Sequence, residues 1–298
     1  MRSFRTATRS TPHTMFSNVP PPLWKRILRK LTDIVLSRLP TGRWLALIPG
    51  FQTWFIAQQM KRQDHTGLHS RVYATYAEAL ADIPPSRKAG WDLEESSTLW
   101  LDNIDPVRPS TYPVFFWITQ TLKAGERLVD LGGSIGLTYY GLRRYMTLPE
   151  GASWTVVEVP QLARQGKAVA ERENAGNLHF LDDLRAAPPC TVLLSAGAMQ
   201  FMEHSVPGLI EQLAAKPRYI LLNKLPVVPY EDCWTLHNYG PAVCPMRLYN
   251  ERNFIAYFES AGYRLRDRWA VQDLDVLIPF HPERFLKEFS GFLFELAE

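Results

Sequence analysis

Short apolar runs alternate with helical patterns over the second half of the chain, from about residue 125 onward. Seven strands are predicted, at residues 128–131, 154–159, 178–181, 191–195, 219–222, 263–271 and 291–296. Helices are predicted between them, at residues 137–146, 161–173, 206–215 and 250–261, where apolar positions recur every three or four residues. This alternation predicts an α/β fold, a doubly wound and mostly parallel seven-stranded sheet whose last strand is antiparallel.

The first 123 residues show no such alternation. Residues 1–22 are rich in Ser, Thr, Arg and Pro and lack periodicity, which indicates a disordered basic arm; Met15 could equally be the start of translation. Residues 23–123 are predicted to form a helical extension or lid, with one helix at residues 73–80. The α/β domain takes residues 124–298.

A cationic amphipathic pattern opens this extension. Apolar residues recur at helical spacing between Leu23 and Leu39, and basic residues cover much of the rest before Pro40. The apolar stretch from Trp44 to Ala57 is too short to span a bilayer and is broken by Pro49-Gly50. Two interpretations stay open: residues 23–57 lie on an anionic membrane surface, or they form a cap packed on the α/β domain.

Charge is spread unevenly over the 298 residues. Residues 1–45 hold nine of the 33 Lys and Arg residues and one of the 30 acids, whereas the remainder is net acidic. The three cysteines, Cys190, Cys233 and Cys244, are widely spaced, which argues for a reducing compartment and against a disulfide framework or a zinc site. We therefore expect a cytoplasmic protein, which the basic segment could hold peripherally at the inner membrane surface.

The stretch RLVDLGGSIG, from Arg127 to Gly136, carries the candidate chemistry. A buried strand ends around Asp130 and passes through a tight turn into a helix, which lets a ligand approach the backbone closely. The residues of this turn are Gly132, Gly133, Ser134 and Gly136. The spacing is not the dinucleotide pattern G-x-G-x-x-G, and no Gly-Lys-Ser/Thr of a P-loop follows. A tight turn without a ligand remains the alternative interpretation.

Polar residues follow the next strands at the same predicted edge of the sheet. Glu158 ends the second strand, 22 residues after the last glycine of the turn, where an acid can accept both hydrogen bonds of a ribose diol. Asp182 and Asp183 follow the third strand, and Ser195 ends the fourth, shortly before Gln200. The glycine turn and the strand-end acid together predict a nucleotide-type ligand.

The pattern D-x-G-x-S-x-G resembles the D/E-x-G-x-G-x-G loop of class I S-adenosylmethionine-dependent methyltransferases, with Ser134 in place of the middle glycine. The stretches VDLGGSIGLTYY, WTVVEVPQLARQG, VLLSAGAMQF, LHNYGPAVCPMRLYN and SGFLFEL are similar to a bacterial family of such proteins, often associated with surface-polysaccharide gene clusters. The similarity covers roughly residues 70–298, and the serine is expected in this family. The basic arm is not explained by it.

The resemblance implies S-adenosylmethionine as the cofactor and gives the site residues their expected roles. The glycine turn is expected to form the floor of the site, with Asp130 near the amino-acid moiety and Glu158 on the ribose. Asp182 or Asp183 is expected at the adenine, and the end of the fourth strand, with Ser195, faces the transferred methyl group.

Methyl transfer to an oxygen, less favourably a nitrogen, of a sugar or other small molecule is the expected reaction. The acceptor must lose a proton, and a neutral imidazole suits that task because its pKa lies near the working pH. His237, expected on a loop after the fifth strand, is the first candidate and His204 the second, while Gln200 is expected to orient the acceptor. No nucleic acid partner and no metal is expected, and the oligomeric state stays open.

Two other functional classes remain. A nicotinamide-dependent oxidoreductase is disfavoured by the glycine spacing and because Tyr140 is followed four positions later by Arg144, where a lysine is needed for Tyr-x-x-x-Lys. The sequence does not distinguish an active methyltransferase from a non-catalytic, methyltransferase-like binding module, because methyl transfer needs few indispensable side chains.

Overall fold

The computed structural model describes Leu36 and residues 44–45, 47–63, 67–95, 107–204 and 206–297. The basic arm and the cationic helix predicted at residues 23–39, apart from Leu36, lie outside the described residues, as does Ser205, which directly precedes the helix predicted at residues 206–215.

In chain order, the first elements are α1 (Phe51–Met60), β1 (Leu68–Tyr73), α2 (Tyr76–Ala81), β2 (Lys88–Ala89), α3 (Tyr112–Thr121) and β3 (Arg127–Leu131). They are followed by α4 (Leu137–Arg143), β4 (Ser153–Val157), α5 (Pro160–Arg172), β5 (Leu178–Leu181), β6 (Val192–Ala196) and α6 (Val206–Ile210). The last are β7 (Tyr219–Leu225), β8 (Val227–Val228), β9 (Cys233–Asn238), β10 (Ala242–Asn250), α7 (Glu251–Ser260), β11 (Tyr263–Val271) and β12 (Phe289–Leu296).

A central sheet of seven strands has the order β11-β12-β7-β6-β3-β4-β5. β12 is antiparallel to both of its neighbours, and the strands from β7 to β5 pair in parallel. The predicted doubly wound α/β fold, its seven strands and the antiparallel last strand are therefore confirmed. The chain leaves β3 toward β4 and β5 and returns to β6 on the other side of β3. The carboxyl ends of β3 and β6 thus flank the switch point at which such sheets bind ligands.

Apolar residues of β3 serve both faces of this sheet, which explains its nearly continuous apolar run. Leu128 is fully buried in the cluster that includes side chains of α3, α4 and α5, whereas the next residue, Val129, belongs to the cluster that includes those of α7. The predicted limits of α7 also have visible causes. The Asn250 side chain accepts a hydrogen bond from the Asn253 backbone N–H, and Gly262, with φ of 91°, follows the helix.

A second sheet is not anticipated by the sequence. Its order is β1-β9-β10-β2, and β8 pairs with β10. β1 lies in the segment predicted to be helical, and β9 and β10 form a hairpin where a loop was expected around His237, so these two expectations are wrong. The helix expected at residues 73–80 is present as α2, which begins after Thr75.

These strands were not predicted from the sequence because each has a pairing partner that is distant along the chain. β1 pairs with β9, where Leu68 lies opposite Asn238, so its partner is far along the chain. Pro245 in β10 is a typical strand breaker because it lacks a backbone N–H. Between Val243 and Tyr249, however, β10 is paired with β9 alone, so one of its edges needs no donor there.

The segment before β1 packs on this second sheet. α1 begins after Gly50, with φ of 76°, at the break that Pro49-Gly50 predicts. Phe55, Ile56 and Met60 on its inner side belong to one buried cluster with residues of β9 and β10. The part of residues 23–57 that forms α1 therefore packs on the second sheet. Its outer side and the residues before it expose large apolar side chains, namely Trp44, Leu47, Ile48 and Trp54. In the part of the chain described, no helix combines the length and apolar character needed to cross a bilayer.

Candidate active site

The glycine turn lies between β3 and α4, at the switch point of the central sheet. A Cβ on Gly132 would overlap the side chain of Ala198, and one on Gly133 would overlap the carboxylate of Asp130. Ser134 and Gly136 both have positive φ values, 56° and 96°, so the serine holds a conformation that is uncommon outside glycine. Close packing and backbone conformation, not chain flexibility, therefore require the small residues here.

Asp130 is fully buried at this point of β3. Its Oδ2 accepts a hydrogen bond of 3.2 Å from Trp154 Nε1, whereas Oδ1 has no partner among the described residues. Burial raises the pKa of Asp130 to about 7, and the nearby Glu158 acts in the same direction. A buried acceptor without a donor is unusual in a folded protein. The free oxygen therefore fits a ligand that brings a cationic or N–H donor to the turn.

Glu158 follows β4 directly and is bonded to the glycine turn. Its Oε1 accepts a 2.9 Å hydrogen bond from the Ser134 backbone N–H, and its Oε2 accepts one of 2.9 Å from Val159 N–H. Burial raises the pKa of this carboxyl, and the two backbone bonds oppose the shift. Each carboxylate oxygen retains lone-pair capacity for a further donor. The structure thus brings together the acid and the turn that the sequence predicted to share a ligand.

The two acids after β5 differ in their surroundings. Asp183 Oδ1 accepts hydrogen bonds from the backbone N–H and the Nε of Arg185, at 3.0 and 3.1 Å, and caps the 3-10 turn Leu184–Ala186. The bond from the Arg185 side chain, followed by that from the backbone N–H, lowers the pKa of Asp183. Asp182 is exposed and makes no such cap. Of the two candidates for the adenine, Asp182 is thus the one with oxygens not used locally, and the assignment stays a prediction.

The end of β6 lies on the other side of the switch point. The Ser195 hydroxyl donates a 3.0 Å hydrogen bond to the carbonyl of Leu131, which ties β6 to β3. Gln200 is buried in the 3-10 turn Met199–Phe201; its Nε2 donates to the Gly197 carbonyl at 3.1 Å, and its Oε1 has no partner among the described residues. Ser195 therefore has a structural bond, and the Gln200 oxygen is free to accept one from a ligand.

The two histidines predicted as bases are placed differently. His237 lies on β9, not on a loop, with its Nδ1 3.2 Å from Nε2 of His69 on β1 and its ring 5.4 Å from that of Phe201. Burial lowers the pKa of His237 to about 4, so its imidazole is neutral at physiological pH. His204 is exposed. Of the two histidines, His237 is therefore the one in contact with Phe201, in the turn after β6 at the carboxyl edge of the central sheet.

A strap, residues 88–95, contributes residues that sequence reasoning missed. Its Trp91 ring stacks on Tyr239 at a centroid distance of 3.9 Å and meets Phe201 edge-on at 5.2 Å. Its Asp92 Oδ1 accepts a 2.9 Å hydrogen bond from the backbone N–H of Gln161 at the start of α5, and its charge raises the pKa of Glu158 further. The strap thus links the second sheet to the acidic side of the switch point. His69, buried on β1, was missed as well, because its pairing with His237 joins distant parts of the chain.

No protein-family model matches the sequence, and no curated protein matches it. Solved structures with a similar course include the CcbJ methyltransferase from Streptomyces caelestis, at 14% identity and a TM-score of 0.44, where the match covers 76% of this chain and 99% of that one. A SAM-dependent methyltransferase from Geobacter sulfurreducens, in complex with S-adenosyl-L-homocysteine, is 16% identical with a TM-score of 0.45 and coverages of 70% and 100%.

A third structure is the 1,6-didemethyltoxoflavin-N1-methyltransferase of Burkholderia thailandensis, with bound 1,6-didemethyltoxoflavin and S-adenosylhomocysteine. It is 13% identical, with a TM-score of 0.46 and coverages of 78% and 94%. Likeness at this level carries no conclusion about the ligand or reaction of this chain. Those rest on its own residues.

Proposed function

We propose that the chain is an S-adenosylmethionine-dependent methyltransferase that acts on an oxygen, in preference to a nitrogen, of a sugar or other small molecule. The observation that carries the proposal is the joined unit at the switch point. There the glycine turn, the buried Asp130, whose Oδ1 has no partner in the described part of the chain, and the Glu158 bonded to Ser134 N–H meet in a doubly wound sheet. The match of the turn to D-x-G-x-S-x-G supports it.

The cofactor supplies a methyl group on a sulfonium, which is already a good electrophile. The chain's own residues then have limited tasks. Gly132 and Gly133 keep the approach to the backbone open, Asp130 Oδ1 accepts from the ammonium of the amino-acid moiety, and Glu158 accepts from the ribose diol. Asp182 completes this set at the adenine. Alignment of donor and acceptor supplies much of the rate enhancement in such a site.

The acceptor is proposed to lie beyond β6, beside the Met199–Phe201 turn. Phe201, Trp91 and Tyr239 form an aromatic group there, which supports an organic acceptor with a ring. Gln200 Oε1, without a partner among the described residues, can orient a hydroxyl; His237 contacts His69 and is kept neutral by burial, as a proton acceptor must be. The resemblance to methyltransferases associated with surface-polysaccharide clusters favours a sugar.

Titration calorimetry with S-adenosylhomocysteine tests the cofactor assignment. We expect saturable binding to the full chain and a loss of about 2–4 kcal/mol in Glu158→Ala, because charge-assisted hydrogen bonds to the ribose disappear. Glu158→Gln serves as a second variant that removes the charge and keeps the shape of the side chain. Glu171→Ala, on the exposed side of α5, is the matched control. An absence of binding to the wild type, or equal affinity in Glu158→Ala, contradicts the proposal.

The same preparation separates the rival classes. A binding module would take up S-adenosylhomocysteine but give no methyl transfer in a screen of sugars and small hydroxylated compounds. An oxidoreductase would bind NADH in competition with S-adenosylhomocysteine. The glycine spacing leads us to expect no such competition.

We also propose that the chain works in the cytoplasm with peripheral contact to anionic membrane. The exposed apolar side chains before and on α1 support this contact, since Trp44 and Leu47 are each 71% and Trp54 57% exposed beside a strongly basic segment. Trp54→Ser with Leu47→Ser should abolish binding to phosphatidylserine vesicles and leave S-adenosylhomocysteine affinity unchanged. Phe116→Ser, at a position 55% exposed on α3, is the control. Unaltered vesicle binding in the double variant would exclude this surface.

A further inference from the structure

Lys224 occupies an unusual position at the end of β7. Its backbone is in the left-handed region, with φ of 58°, which is costly for a residue other than glycine, asparagine or aspartate. Its side chain packs across Gly197, just after β6, where an added Cβ would lie 3.4 Å from Lys224 Cδ. In the strand order, β7 and β6 lie on the opposite side of β3 from β4 and Glu158. The lysine therefore belongs to the acceptor side of the switch point.

Neighbouring bonds hold this strand end in place. The fully buried Asn223 donates from Nδ2 to the carbonyl of Ser110 at 3.0 Å and accepts at Oδ1 from Trp269 Nε1 at 3.0 Å. These two bonds fix the residue before Lys224 against the start of α3 and against β11. A strained backbone conformation persists only where surrounding structure enforces it, and such sites are often functional.

The charges around Lys224 are not balanced. Its ammonium makes no hydrogen bond or ion pair with any described residue. Burial lowers the pKa of Lys224, the charge of Arg108 lowers it further, and Asp273 acts in the opposite direction. Asp273 is already engaged, since its Oδ2 lies 3.5 Å from Arg108 Nη1 and accepts a 3.1 Å hydrogen bond from the Ser110 hydroxyl. Asp273 thus pairs with Arg108 and Ser110 and makes no ion pair with Lys224.

We propose that Lys224 and Arg108 bind an anionic group of the acceptor, a carboxylate or a phosphate, so that the substrate is an anionic sugar or other anionic small molecule. This inference rests on the proposed methyltransferase function and names the substrate class of the same site. A largely buried ammonium with no ion pair among the described residues is unfavourable, and an anionic ligand group supplies the missing charge through charge-assisted hydrogen bonds. The acids proposed for the cofactor come from β3, from the end of β4 and from the end of β5, so the anion of the acceptor meets the cations on the β7 side.

The test uses the full chain saturated with S-adenosylhomocysteine and titrated with inorganic phosphate or with acetate at constant ionic strength. We expect saturable binding of at least one anion, and the tighter of the two identifies the group. Lys224→Met keeps the aliphatic packing on Gly197 and should weaken binding at least tenfold. Arg108→Gln should weaken it several-fold. Lys167→Met, at an exposed position of α5, should leave it unchanged.

Separate readouts keep the outcomes distinct. Affinity for S-adenosylhomocysteine should stay within about twofold of the wild type in all three variants; loss of that binding in the wild type itself contradicts the proposed function. Normal S-adenosylhomocysteine binding with no saturable anion binding, or with equal anion affinity in Lys224→Met and wild type, overturns the anion site alone. An equal loss of anion affinity in Lys167→Met also overturns the anion site, because such a loss would show that any cation of the chain attracts the anion. If Lys224→Met does not fold, Arg108→Gln decides, since it leaves β7 intact.

Discussion

Burial favours the neutral forms of the titratable residues in the candidate site. Asp130 and Glu158 both have pKa values raised chiefly by burial, while that of His237 is lowered for the same reason. Without a ligand, these groups sit in an environment that disfavours their charged forms. A cationic ligand group beside Asp130 reverses this balance, which couples ligand binding to protonation.

Asp130 should leave a measurable trace in the pH dependence of stability. Its folded pKa of about 7 lies above the ordinary aspartate value of 3.8, so between about pH 4 and 7 the folded state keeps a proton that the unfolded state has released. The free energy of unfolding therefore falls as pH rises through this window. In Asp130→Asn, which retains an acceptor for Trp154, this contribution is absent. In urea titrations without cofactor, the free energy of unfolding of the variant relative to that of the wild type should therefore rise by at most about 4 kcal/mol between pH 4 and pH 8.

Exposed Glu171→Gln serves as the control for that series and should follow the wild type at every pH. A difference between Asp130→Asn and wild type that is the same at pH 4 and pH 8 would show that Asp130 is ionised in the folded state.

His237 can be tested once a screen has supplied an acceptor. His237→Ala should lower turnover by about 10²–10⁴-fold, with S-adenosylhomocysteine affinity nearly unchanged, because proton removal is lost and cofactor contacts are not. Since burial lowers the pKa of His237 to about 4, its imidazole is already neutral near pH 6. Turnover should therefore show no imidazole titration between about pH 6 and 8. His179→Ala, exposed on β5, is the control. Near-normal turnover in His237→Ala places the base elsewhere.

At the scale of elements, the glycine turn acts through steric exclusion, and two glycines allow a matched comparison. A Cβ on Gly133 meets the Asp130 carboxylate, whereas one on Gly176, in the turn before β5, meets nothing within 4 Å. Neither residue has a positive φ, so the backbone conformation itself permits alanine at both. Gly133→Ala should destabilise the chain by about 1–3 kcal/mol and weaken S-adenosylhomocysteine binding at least tenfold, because Asp130 must move.

Gly176→Ala should be neutral or slightly stabilising, since it only restricts the unfolded chain. Denaturant titration and calorimetry on both variants check the pair. Equal effects at the two positions would refute the steric account of the turn.

Elements with local causes were the ones that the sequence predicted well. β3, its glycine turn and α4 follow one another without a gap, and α7 is bounded by Asn250 and Gly262, so nearby residues define them. The second sheet has no such local cause. β1 is stabilised by β9, and Pro245 argues against the strand in which it lies. Residues 68–73, expected in a helical segment, and the surroundings of His237, expected in a loop, were therefore misassigned.

At the scale of the whole molecule, the same distinction separates the cofactor side of the site from the acceptor side. Asp130, Glu158 and the glycines come from consecutive strand ends, and topology alone places them together. His69 meets His237 only through strand pairing within the second sheet, and Asp92 meets the start of α5 only through the strap. The left-handed backbone of Lys224, and its lack of an ion pair with any residue in the described part of the chain, are likewise visible only in three dimensions. Sequence reasoning could therefore predict the residues proposed to bind the cofactor but not those around the proposed acceptor.

Because the strap spans the second sheet and α5, a ligand at the switch point should stabilise both sheets together. At a concentration 100 times its dissociation constant, S-adenosylhomocysteine should add about 2.7 kcal/mol to the free energy of unfolding, which corresponds to a rise of about 5 °C in Tm. Hydrogen exchange should slow at the ends of β3 and β4 and also in residues 88–95, where Trp91 and Asp92 join the two halves. At the same ligand concentration, Glu158→Ala should lose most of the shift, whereas Glu171→Ala should retain it. Slower exchange confined to β3 and β4, with the strap unchanged, would mean that cofactor binding is independent of the second sheet, because the strap would then transmit none of the stabilisation.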